Sequence, residues 1–207
     1  MPDPLTVAAV LLVLGPALGL LGFYDRAVWR VWMAPRDEHL RIVAAHRRGW
    51  ATVNVGFTVA TVLTAAGLIV LAGAVDADDG IRAILAADAI AYLLGGTLWL
   101  IVLAVRTRTT PTLAGLVAAG SPTEPAESLL GAAIGGLFAS FSLIVSGSLV
   151  LLGGALAVGG VVVPVGWLIA VTGALCVVWF LRTDDLIPAV LYIPTLILGL
   201  ALLGGVA

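Results

Sequence analysis

Charge is what this chain lacks most. Of its 207 residues only 11% are charged, while 61% are hydrophobic. A soluble domain carries about a quarter charged residues. A water-soluble chain of this length could bury a large core but would still need a polar surface, and here the polar side chains are too few to cover one. Lipid therefore has to solvate part of the molecule. Lysine is absent, and all ten basic residues are arginine. A formal net charge of −2 and the lack of any basic stripe argue against a nucleic-acid partner. Cysteine is limited to Cys176, in an apolar run. That excludes an intrachain disulfide and a cysteine-rich metal site, and Cys176 reads as a small buried hydrophobe. No Ser/His/Asp set, Gly-rich phosphate loop or His-Glu-x-x-His motif is present. Nothing implies a cofactor, and the sparseness of catalytic polar residues ranks a membrane enzyme third, behind the two classes given below.

A basic leader region is missing too. The chain begins Met1-Pro2-Asp3-Pro4, and the apolar run over residues 5–23 is long enough to span and is followed by arginines. This predicts a retained first helix rather than a cleaved signal.

Long apolar runs are abundant, and a bilayer span needs roughly 20 such residues. Residues 5–23, 51–75 and 83–105 qualify, the last interrupted only by Asp88. From 128 to 181 no residue is charged. As one helix that run would extend ~80 Å, against a hydrocarbon core of ~30 Å, so it must turn back. Gly153-Gly154, Gly159-Gly160 and Pro164 supply the breakers, predicting spans over 128–153 and 161–181. Residues 186–206 form the sixth. The expected fold is all-α: one polytopic domain, a six-helix transmembrane bundle. The chain looks like a small prokaryotic membrane protein, and no motif assigns it to a family.

Arginine placement sets the expected orientation. Arg26, Arg30, Arg36, Arg41, Arg47, Arg48, Arg106, Arg108 and Arg182 fall in connections on one side of a six-helix chain, and only Arg82 falls on the other. The positive-inside bias then puts both termini on the extracytoplasmic side of a cell membrane. Trp29, Trp32 and Trp50 flank the first inner connection, as interfacial aromatics do. There Pro35 precedes Arg36-Asp37-Glu38, a helix start, and Asp37 and Arg41 are spaced as an i, i+4 pair. The spacing predicts a short amphipathic helix over 36–48 on the inner surface, with Arg36, Arg41, Arg47 and Arg48 facing lipid headgroups. His39 and His46 are too far apart on such a helix (~10 Å) to share a metal ion, and read as exposed interfacial residues. Residues 109–127 read as a Pro/Thr/Gly-rich loop, with Ser121-Pro122-Thr123-Glu124 as a capping box for the next helix. Asp184-Asp185 reads as a cap for the sixth helix.

Asp88 is the sharpest feature. Measured from Arg82, it lies about 9–10 Å into the membrane, where an ionised carboxylate is expensive. Arg82 is six positions away on another face, and no other span holds a basic residue. Asp88 should therefore be protonated, strongly hydrogen-bonded or facing a wet cavity. Tyr92 follows one turn later on the same face. Thr64, from the neighbouring helix of the hairpin, belongs near the level of Tyr92, and Ser146 and Ser148 near that of Asp88. Asp88, Tyr92, Ser146 and Thr64 form the candidate substrate or ion site, alongside a purely structural alternative. Asn54, Thr58 and Thr61 make a polar stripe read as helix packing. Gly131, Gly135, Ala139, Ser142 and Ser146 make a small-residue face that allows close helix approach, within the bundle, at a homo-oligomer seam or against a partner subunit. Two function classes follow: a small transporter or channel-like protein with a polar site, or a non-catalytic scaffold acting through lipid and helix contacts.

Overall fold

The computed structural model describes residues 3–21, 28, 30, 31 and 34–205, apart from the side chains of residues 36 and 37. Among them are seven helices and no strand: α1 (Pro4–Leu21), α2 (Arg36–Ala45), α3 (Arg47–Ala74), α4 (Asp79–Ala118), α5 (Glu124–Val158), α6 (Val163–Thr183) and α7 (Ala189–Leu203). Five of them, α1 and α3 to α6, are long and apolar enough to cross a membrane. The sixth apolar helix, α7, has 15 residues and reaches ~22 Å, less than a full ~30 Å core. The chain is a helical membrane bundle with a short helix, α2, between the first two spans.

The apolar helices form a ring in chain order. α1 packs on α3, α3 on α4, α4 on α5 and α5 on α6; α7 closes the ring on α1 and touches α6 more lightly. The outer surface of the ring is hydrophobic, with Leu14, Val62, Ile90, Leu94, Leu168 and Leu175 exposed. So large an apolar surface on one chain marks contact with lipid. Trp167 and Trp179, near opposite ends of α6, are 54% and 59% exposed, as expected of aromatics at the two membrane interfaces.

Inside the ring, Trp99 of α4 is fully buried. Its ring stacks on Phe141 of α5 at 4.9 Å and meets Phe138 at 5.9 Å and Phe57 of α3 at 6.0 Å. Phe57 in turn stacks on Tyr192 of α7, and Phe138 meets Phe180 of α6. One aromatic cluster thus ties five helices together.

The long uncharged run turns later than its glycines suggest. Gly153 and Gly154 lie inside α5, and the turn falls at 159–162 with Gly160 at φ +73°. Gly153 is a contact point instead of a breaker: a Cβ there would sit 2.3 Å from the Ala170 backbone nitrogen. Gly166 and Gly173 of α6 meet the α5 backbone just as closely, at Ala157 and Ser146. Removing the side chains lets two backbones touch, which is what binds helices in lipid.

Other expectations move as well. Residues 109–118, expected as loop, continue α4 through Pro111, giving a helix of 40 residues or ~60 Å. α5 starts at Glu124 with Thr123 as its N-cap and Pro125 in its first turn, two residues beyond the expected Ser121 cap. The Thr123 hydroxyl donates to the Glu127 carboxylate rather than capping the backbone. Asp184 ends α6 in the left-handed conformation (φ 53°) and does not cap α7, whose N-cap is Pro188. α2 ends at Ala45, and His46 breaks the chain before α3. At the other end of the bundle, Asp78 caps α4 by accepting from the Ile81 amide at 2.9 Å, and Arg82 pairs with Asp79 at 2.6 Å.

Adjacent glycines give a direct test. Gly153→Ala should destabilise the protein by about 1–3 kcal/mol through overpacking. Gly154→Ala, whose Cβ meets nothing within 4 Å, should be neutral or stabilising by up to about 1 kcal/mol. Thermal unfolding of the two variants in detergent reads the difference, and equal midpoints would refute the backbone contact.

Candidate functional site

Asp88 sits two and a half turns into α4 and is 1% exposed. It does not face lipid, and among the described residues it pairs with no basic side chain. The Ser148 hydroxyl of α5 donates to its Oδ1 at 2.5 Å. Ser148 and not Ser146 is the partner because two residues along a helix turn a side chain by about 200°. Phe141, Val145 and Ser148 look toward α4, where a Cβ on Gly95 would meet Val145 at 2.8 Å. Ser142, Ser146 and Gly153 lie along the other side, which meets α6. Ser146 is therefore turned away from the carboxylate and toward α6.

Tyr92 is buried one turn inward of Asp88, and its hydroxyl lies beside Thr64 of α3. The hairpin register that places Thr64 at this level is met. The Thr64 hydroxyl nonetheless makes no hydrogen bond of good geometry; its Oγ1 would lie 2.9 Å from a Cβ on Gly15 of α1. A further turn inward, Thr61 and Tyr192 share a hydrogen bond of 2.7 Å between α3 and α7. Buried polar groups thus descend the interior from Asp88–Ser148 through Tyr92–Thr64 to Thr61–Tyr192, ending on the aromatic cluster at Trp99. Besides Thr64, the Ser142 and Ser146 hydroxyls are buried without a partner among the described residues, whereas the Trp99 Nε1 lies beside the Tyr192 hydroxyl. Orphans of this kind are costly and mark places where water or a polar ligand is accommodated.

The polar stripe on α3 divides. The Asn54 amide donates to the Trp50 carbonyl, and the Thr58 hydroxyl donates to the Asn54 carbonyl. Both return to their own helix, and only Thr61 reaches another. The small-residue face of α5 divides too. Ser142 is buried, whereas Gly131 and Gly135 are exposed and Ala139 is half-buried. A Cβ on Gly135 meets nothing within 4 Å. Gly135 therefore makes no close helix contact among the described residues, because α6 ends level with Phe138, where Phe180 meets it.

At the arginine-rich end, Trp50 is buried inside the bundle instead of facing lipid. Its Nε1 donates to the Arg106 carbonyl at 2.9 Å, the Arg106 guanidinium lies 4.9 Å over its ring, and the His39 ring meets it edge-on at 5.7 Å. Trp29, Trp32, Arg26 and the Asp37 and Arg36 side chains lie outside the described residues. Arg41 and Arg48 are exposed, as a headgroup contact requires. Arg47 is exposed as well, but its guanidinium lies where a Cβ on Gly115 of α4 would be, 2.8 Å away. His46 is exposed at the break between α2 and α3, whereas His39 is half-buried.

Burial, with the Arg106 guanidinium nearby, pushes the His39 imidazole down from 6.5 to about 4. Between those values the unfolded chain binds a proton that the folded chain does not, so this residue's share of stability is lost as pH falls. Replacing His39 by Gln should flatten the loss of stability between pH 6.5 and about 4. Chemical unfolding of both proteins across that window measures it, and parallel curves would contradict the burial of a neutral imidazole.

No protein family, curated protein or solved structure matches this chain.

Proposed function

We propose that this chain is a small multi-pass transport or channel-like protein of the cell membrane, in which Asp88 takes up a proton or binds a small cation. The observation that carries this reading is a carboxyl group buried within a span, held by the Ser148 hydroxyl and making no ion pair. Intramembrane carboxylates are costly, and proteins retain them chiefly where ions or protons move. The Tyr92 and Thr64 hydroxyls, side by side, add a second polar pair on the same line. The aromatic cluster beneath would close the path on the arginine-rich side, so passage requires that Trp99, Phe141 and Phe57 move apart. The arginine distribution supports an orientation with both termini extracytoplasmic.

A second reading, a membrane scaffold or partner subunit, is favoured by the exposure of Gly131 and Gly135. Small exposed residues on a lipid-facing helix suit a second copy or another membrane protein.

Reconstitution separates the two. Vesicles containing the native protein and a pH-sensitive dye should show proton flux under an imposed gradient, and Asp88→Asn should abolish it at unchanged expression. If Asp88→Asn only lowers thermal stability, or if native vesicles show no flux, Asp88 is structural. In that event Gly135→Leu should disrupt co-purification of differently tagged copies.

A further inference from the structure

The oxygens around Asp88 bear on which ion it takes up. A metal cation that enters a span sheds its water and needs protein oxygens in exchange. Mg²⁺ and Ca²⁺ are held by about six to eight, and Na⁺ sites in transporters draw on carbonyls freed where a helix unwinds. No helix unwinds here. α4 runs unbroken from Asp79 to Ala118, α5 from Glu124 to Val158 and α3 from Arg47 to Ala74. Asp88, Ser148 and Thr64 all sit mid-helix, where each carbonyl is spent on its own helix bond.

Side-chain oxygens are as scarce. Residues 51–74 and 128–158 include no charged side chain. Among the described residues, no three His, Cys, Asp or Glu side chains gather as a metal site. Asp88 meets the Ser148 hydroxyl, while the Tyr92 and Thr64 hydroxyls lie beside each other a turn inward. The spacing of the first pair is informative. Its 2.5 Å is that of a hydroxyl donating to a carboxylate. Two neighbouring oxygens around Mg²⁺, bound octahedrally at ~2.0–2.1 Å, stand about 2.9 Å apart, and larger cations spread them further.

We propose that Asp88 exchanges protons alone and that its pairing with Ser148 excludes metal cations; this rests on the reading of Asp88 as the ion site of a transport protein. The pair is satisfied in both charge states. An ionised carboxylate only accepts, and Ser148 donates to it. When a proton from water bonds to Oδ1, the new O–H donates to the Ser148 Oγ. Ser148 then turns its own proton to the Ile144 carbonyl, four residues back. Thr58, Thr97 and Thr172 already bond in that way. Uptake thus reverses one hydrogen bond and leaves no polar group of the pair unmatched. Tyr92 is the titratable group beside Asp88, with Tyr192 of α7 beyond it. Within the span α3 and α5 bring none, and Arg82 and Asp79 pair with each other at the outer end of α4.

Infrared titration of the full chain in bilayers tests this without relying on flux. The protonated carboxyl band of Asp88 is assigned by its loss in Asp88→Asn or, should that variant fail to fold, by its shift in Asp88→Glu. A competing cation would lower the titration midpoint by about one pH unit for each tenfold rise above its Kd. The midpoint should instead stay fixed as NaCl, KCl or MgCl₂ replaces choline chloride at constant ionic strength. A midpoint that falls with any of these salts overturns the proposal while leaving Asp88 an ion site. So does the lack of any titrating band that depends on Asp88. A fixed midpoint in a protein whose vesicles pass no protons removes transport and leaves the proton assignment standing.

Discussion

A bilayer gives helices no hydrophobic reward for touching, because lipid tails are as apolar as leucine. What binds this bundle is close approach, and the closest is between α5 and α6 at Gly153, Gly166 and Gly173. That seam fixes the rotation of α5. With Ser146 and Gly153 committed to α6, the face about a third of a turn around α5 presents Phe141, Val145 and Ser148 to α4. Phe141 then completes the aromatic cluster on Trp99, and Ser148 meets Asp88. The same logic recurs across the ring. Gly15 brings α1 against Thr64 and Ala60 of α3, and Gly199 brings α7 against Ala9 and Leu12 of α1. The polar groups of the interior are held in register by glycines several residues away.

The position of Asp88 follows from this arrangement. Lipid exposure would leave a carboxyl group with no partner, and a span offers no water to solvate it. Burial against α5 gives it a hydroxyl donor at the cost of rigid placement. Tyr92, Thr64, Thr61 and Tyr192 extend the polar line inward, and the aromatic rings at Trp99 close it. The polar column is hydrogen-bonded at its Asp88 end and closed by aromatic rings toward the arginine-rich end.

The membrane class, the six apolar helices and the interfacial helix were legible in the sequence because they depend on hydrophobic length and arginine spacing. The level of Thr64 relative to Tyr92 followed from rise per residue alone. Rotation did not. Choosing Ser148 over Ser146 requires knowing which side of α5 faces α4, and that is decided by contacts with Gly166 and Gly173 some twenty residues along the chain. Glycine pairs misled for a related reason: Gly153-Gly154 signals a turn in water but a helix contact in lipid. The extension of α4 past Arg106 was hidden by Pro111 and the threonines, which usually mark loops yet here continue a helix. Trp50 and His39 were expected to be exposed, whereas α2 lays the His39 ring against a buried Trp50.

The pairing of Asp88 with Ser148 is the point on which the account turns. Infrared difference spectroscopy of the protein in bilayers, recorded between acidic and alkaline buffer, observes it directly. A carboxyl band that disappears in Asp88→Asn should shift in Ser148→Ala and stay put in Ser146→Ala. A band unmoved by Ser148→Ala, or displaced by Ser146→Ala instead, would contradict it.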